Sequence, residues 1–258
     1  MPMIFLISAL GMMFGSGGNA LVAKKIGEGK HREAKEEFSL LVVVAFVFSV
    51  VLAVLCFLFL DPLCRFLGSD DALLPLCRAY MIPVLVTIPF AIFGIVFQMS
   101  YITVGKANLG LIFSLLGGVL NVVLDWLFIA IFHWGIAGAA IATGIGYAVP
   151  SLIGVVWFCV KREQALCIVR PKWRLHTLLQ SCANGASEMV SVLAFSVVTI
   201  LFNNILMNLA GSDGVASLTI IWYAQELFSG MFRGYITGVS SVVSYNLGKG
   251  DKERLARA

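Results

Sequence analysis

Long apolar runs alternate with short polar segments along the whole chain. Seven of these runs are near or above the ~20 residues that cross a ~30 Å hydrocarbon layer. They are Met3–Ala23, Phe38–Leu60, Leu76–Thr103, Leu109–Phe132, Ala137–Val160, Ala183–Ala210 and Val215–Leu247. The pattern predicts an all-α membrane protein, a polytopic helical bundle with about seven transmembrane helices. Pro83, Pro89 and Pro150 fall inside the runs and predict interrupted helices. Gly138, Ala142 and Gly146 recur every four residues, a small-residue face that lets helices approach closely.

Composition agrees with this picture. Of the 258 residues, 60% are hydrophobic and 12% charged, whereas soluble domains are about 45–50% apolar and about 25% charged. The net charge of +4 is unevenly placed: fifteen of the eighteen Lys and Arg lie in Lys24–Lys35, Lys106, Lys161–Arg174 and Lys249–Arg257. The opposite loops hold only Arg65, with Arg78 just beyond. That alternation is the positive-inside bias and puts the basic loops in the cytoplasm. It replaces nucleic acid as the reading of the charge and predicts a multi-pass protein of the inner (plasma) membrane. No short signal peptide with a cleavage site precedes the runs, so nothing points to secretion.

Catalytic chemistry is not indicated. The six cysteines show no metal spacing; Cys64 and Cys77 fall on the same outer side, but no disulfide is expected. The three histidines lack a second ligand at helical spacing, and there is no phosphate loop or nucleophile elbow.

One internal repeat stands out. GGNALVAKKIGEGKHREAKEE from Gly17 aligns without gaps to GVSSVVSYNLGKGDKERLARA from Gly238, an offset of 221 residues. Gly17/Gly238, Val22/Val243, Gly27/Gly248 and Gly29/Gly250 match. In both copies a membrane helix leaves through a G-x-G turn, where glycine suits a φ above zero. Six membrane helices separate equivalent points, so the units should run in the same direction, related by an axis along the membrane normal. Two such units imply a parent of about 440 residues and twelve helices. On that reading residues 1–162 are most of an N-terminal lobe without its first helix. Residues 163–180 are a cytoplasmic interfacial linker, and 181–258 begin a C-terminal lobe whose last four helices are missing.

These features resemble the multidrug and toxic compound extrusion (MATE) transporters. The resemblance rests on the exit at Gly27–Lys30, its partner SYNLGKG at Ser244–Gly250, NVVLDWLFI at Asn121–Ile129 and GIAGAAIAT at Gly135–Thr143. It implies a monomeric transporter with a cleft between two six-helix lobes. It also implies export of small organic cations and drugs, driven by a proton or sodium gradient, with no cofactor and no metal. The alternatives are a lipid or lipid-linked oligosaccharide flippase, which needs several basic residues in its cavity, and a membrane-embedded enzyme, for which a second acidic motif is lacking.

Four ionisable residues stand within the runs: Asp125, Glu188, Glu226 and Arg233. An ionised carboxylate at the bilayer centre costs roughly 2.5–3.5 kcal/mol on insertion scales, so each needs a reason. Asn121 and Asp125 are four apart and share a helix face. At ~1.5 Å per residue, Asp125 lies about 24 Å from the inner end, in the outer half of the membrane. A carboxyl withdrawn from water suits proton exchange; one that stays ionised needs a cation, for which Asn121 offers an amide oxygen. A polar brace between helices is the other reading. The resemblance assigns Asn121 and Asp125 to the cation site of the N-terminal lobe, with Thr143 on the next helix and Gln98 where relatives can carry Asn. It assigns Glu188 to a cation site of the C-terminal lobe; a capping carboxylate near the interface is the alternative. Glu226 and Arg233, two turns apart, could face the cleft together. The segment Leu166–Gln180 reads as an interfacial strap between lobes.

Overall fold

The computed structural model describes residues 2–66, 74–160 and 165–249, and every regular element among them is helical. The chain runs α1 (Pro2–Gly27), α2 (His31–Leu58), a short α3 (Leu60–Phe66), α4 (Leu74–Thr103), α5 (Ala107–Asp125), α6 (Gly135–Val160) and α7 (Leu175–Lys249). A π-helical turn, Trp126–Ile131, extends α5, and Gly211 (φ 64) breaks α7 into two helices. All seven expected spans are therefore helical where the apolar runs place them. Five of the described helices are long and apolar enough to cross a membrane: α2, α4, α5 with its π turn, α6 and the first part of α7. Their outer faces carry exposed valine and leucine, such as Leu58, Val122 and Val160, as lipid-facing surface does.

The first half of α7 begins at Leu175, inside the segment expected to be linker, because nothing between Leu175 and Gln180 breaks a helix. All six cysteines are free thiols, Cys64 buried and Cys77 half-buried.

Helix α4 lies at the centre and packs against α1, α2, α5 and α6. Leu85, Ile88 and Ile92 of α4 fill one core with Phe14 of α1 and Leu41 of α2. Nearer the cytoplasmic loops, Phe97 and Tyr101 stack around Phe158 of α6 at ring distances of 5.4 and 5.1 Å, and Phe38 of α2 closes the cluster at 4.9 Å. A polar clasp crosses this packing: buried Asn19 Nδ2 donates to Gly15 O (2.8 Å) and Val96 O (3.3 Å), and Ser100 Oγ donates to Asn19 Oδ1 (2.9 Å). Every polar atom of that asparagine has a partner, so its burial is tolerated.

The expected repeat leaves a direct mark. A Cβ added at Gly27 would lie 2.0 Å from Tyr245 O and 3.0 Å from Lys249 N; one added at Gly248 would lie 2.0 Å from Lys24 O and 3.1 Å from Glu28 N. Subtracting the offset of 221 turns each contact into the other: Tyr245 corresponds to Lys24, Lys249 to Glu28 and Gly248 to Gly27. This is the reciprocity of a two-fold contact. Higher up, Ser16 and Asn19 face the same cleft as Thr237 and Ser240, so α1 and the second half of α7 run parallel. Of the two glycines at the end of α1, Gly29 adopts φ 75, and Lys30 N–H to Lys25 O with Gly29 N–H to Ile26 O forms the capping pair of a Schellman motif. Gly27 serves close packing instead. Gly250, the counterpart of Gly29, and the charged tail after it lie outside the described residues.

A strap over residues 165–174 follows α6 and folds back on the N-terminal helices. Val169 N–H donates to Ser39 Oγ (2.8 Å), Leu166 is buried against Phe38 and Phe158, Lys172 pairs with Glu36 (3.0 Å) and Arg174 with Glu33 (3.4 Å).

Candidate functional site

Helices α4, α5 and α6 enclose a cavity of about 330 Å³. Its walls approach closely for a local reason. Pro150 lacks the N–H that would bond Gly146 O, and Gly117 backs onto that carbonyl so tightly that a Cβ there would lie 2.6 Å from it. Gln98 of α4, Asn121 of α5 and Thr143 of α6 all line this space, with Tyr101, Ser114 and Tyr147. No lining residue carries a charge, and most of the wall is apolar. The cavity suits a bulky, largely apolar guest held by a few amide and hydroxyl groups.

At its upper end Asn121 Nδ2 donates to Thr143 Oγ1 (3.3 Å). The amide oxygen of Asn121 and the hydroxyl hydrogen of Thr143 are not used in that bond. Asp125 stands one turn above Asn121, as the last residue of α5 before the backbone widens into the π turn. Its Oδ1 is buried and has no hydrogen-bond partner. Such turns are rare and recur at functional positions. Tyr80 of α4 is close enough to feel the charge of Asp125, and Tyr147 neighbours Tyr80. The structure thus gathers Gln98, Asn121 and Thr143 around one cavity with Asp125 just beyond it. The sequence alone does not point to Tyr80 or Ser114, because isolated hydroxyl side chains on apolar helices give no periodic signal.

Glu188, Glu226 and Arg233 form a second, separate group. Glu188 and Arg233 line a narrow cleft of about 80 Å³ between α1 and the two halves of α7, beside Asn19 and Ser240. Arg233 is ion-paired with Glu226 across two helical turns, and both side chains are well exposed. Glu188 is not brought to Asp125. Among the described residues, no three His, Cys, Asp or Glu cluster as a metal site.

The MatE family model matches residues 1–127. The chain is 23% identical over 258 residues to the multidrug export protein MepA of Staphylococcus saprophyticus, covering 99% of this chain and 56% of that protein. It is 20% identical to MepA of Staphylococcus aureus, covering 95% of this chain and 54% of the other. The chain therefore spans just over half the length of these relatives. Among solved structures, a MATE protein in complex with MaL6 superposes with a TM-score of 0.92 at 25% identity, over 99% of this chain and 57% of that one. An outward-facing multidrug-resistance MATE transporter gives 0.90 at 26% identity, over 99% and 57%.

Proposed function

We propose that this chain, a member of the MATE family of transporters, supplies the N-terminal lobe and the start of the C-terminal lobe of a multidrug exporter. In this reading the exporter is a twelve-helix antiporter of the plasma membrane. A proton or sodium ion moving inward at Asp125 drives small organic cations outward through the cavity between α4, α5 and α6. Residues 1–162 hold that cavity, and the segment 163–180 joins the lobes.

The observation that carries the proposal is the buried, unpartnered Oδ1 of Asp125 one turn above the Asn121–Thr143 hydrogen bond. A carboxylate left without a donor in an apolar helix is costly unless a proton or a cation satisfies it. Asn121 and Asp125 present oxygens on one face for a small cation, and protonation of Asp125 would satisfy the same need. The guest enters the neighbouring cavity, where Gln98 and the aromatic rings meet it. Glu188 serves as the acid of the second lobe, facing the cleft with Arg233. The absence of any charged residue from the cavity wall weighs against a flippase, because a diphosphate would need cations there.

Vesicles holding the full-length transporter test this. A fluorescent organic cation should be pumped against its gradient, and either a proton-dissipating or a sodium-dissipating ionophore should stop it. Pumping that survives both ionophores would refute the proposal.

A further inference from the structure

On the side of the bilayer opposite the basic loops, the short α3 packs against the start of α4. A two-pronged ion pair fixes their register: Arg78 Nε donates to Asp61 Oδ1 (2.7 Å), and a second guanidinium nitrogen reaches Oδ2. Cys64 follows Asp61 by three residues, one helical turn, and Cys77 directly precedes Arg78. The ion pair therefore holds the two cysteines at one contact between the helices. Cys64 is only 2% exposed, in a core shared with Met81 and Leu85 of α4, and Cys77 packs against that same core. The two thiols are close enough for a charge on one to act on the other. Cys77 is half-buried, so one thiol of the pair meets solvent while its neighbour is shielded.

We propose that Cys64 and Cys77 are an oxidisable dithiol that closes to a disulfide on the extracytoplasmic side and locks α3 onto the outer end of α4. That side is the one on which disulfides form and persist. The oxidant is a low-molecular-weight disulfide. The Cys77 thiolate attacks one of its sulfurs, releasing one small thiol and leaving Cys77 in a mixed disulfide. The Cys64 thiolate then attacks the Cys77 sulfur and displaces the second small thiol. The Cys64–Cys77 bond forms, the oxidant's sulfur–sulfur bond breaks, and the two protein protons end on the two released thiols. The lock fixes α4 one turn outside Tyr80, the hydroxyl beside Asp125.

The test treats the full-length transporter in non-ionic detergent with oxidised glutathione, blocks remaining thiols with a maleimide, and maps the tryptic peptides by mass spectrometry. Trypsin cleaves after Arg65 and Arg78, so Cys64 and Cys77 fall on adjacent peptides that stay joined only by a disulfide. Most molecules should carry the joined pair, and dithiothreitol should separate it. Cys56 shares the Cys64 peptide, so Cys56→Ser identifies the partner: it should leave the joined fraction within about twofold. Cys77→Ser, at the half-buried position, should abolish it, and so should Cys64→Ser. The bond closes a short loop, so reducing the oxidised protein should lower its melting temperature by a few degrees. Glutathione adducts at Cys77 without the joined peptides would overturn the proposal. Loss of the joined peptides in Cys56→Ser, or a melting temperature indifferent to dithiothreitol, would do the same.

Discussion

Asp125 and Glu226 are both carboxylates on long apolar helices, and they meet opposite surroundings. Glu226 is ion-paired with Arg233 two turns along its own helix, and both side chains are well exposed. Asp125 has a buried oxygen without any donor, with an asparagine one turn away and the backbone widening next to it. A charge neutralised by a neighbour on its own helix can be carried as local structure. A charge left open beside a cavity is costly, and the cost is met only when something mobile binds. If Asp125 carries the coupling ion as proposed, this difference marks a coupling site more sharply than the mere presence of acids in a membrane helix does.

Filling the cavity should produce a large change. A Cβ added at Gly118 meets nothing within 4 Å, and the position lines the cavity, so Gly118→Leu should fold normally yet reduce export of bulky cations by at least tenfold. Export in vesicles, compared with elution on gel filtration, checks both halves of that expectation. The same substitution at Gly117 would collide with Gly146 O and should lower the yield of folded protein instead.

A smaller effect is expected at the amide. Asn121→Ala removes the hydrogen bond to Thr143, on the order of 0.5–1.5 kcal/mol, and should raise the driving-ion concentration for half-maximal export about two- to tenfold. Unchanged ion dependence would reduce Asn121 to a brace.

The exposed pair should matter least. Replacing Glu226 and Arg233 together with glutamine removes an interaction of about 0.2–1 kcal/mol and should leave export within about twofold. A loss of about tenfold or more would erase the distinction between the two carboxylates.

Much of this arrangement is legible before any coordinates. The apolar runs place every long helix, because membrane helices need little beyond length and hydropathy, but not the short α3, which falls in the polar stretch after Leu60. The offset of 221 residues anticipates the parallel helices that meet at Gly27 and Gly248, and the four-residue spacing puts Asn121 and Asp125 on one face. Other features depend on contacts between helices distant in sequence. The pairing of Asn121 with Thr143 spans 22 residues and that of Ser39 with Val169 spans 130, and the chain carries no local trace of either. The π turn after Asp125 is invisible for another reason. Its residues, WLFIAI, are ordinary α-helix formers, so the extra residue per turn reflects packing rather than propensity.

The central claim is that Asp125 carries the coupling ion, and Asp125→Asn in the full-length transporter isolates it. The amide keeps the size and hydrogen-bonding reach of the side chain but cannot take up a proton or hold a cation by charge. With expression matched, a fluorescent cation should still equilibrate down its own gradient through the variant. An imposed proton or sodium gradient should no longer drive it uphill. Gradient-driven accumulation at the wild-type rate in Asp125→Asn would contradict the account and leave Asp125 as a clasp between helices.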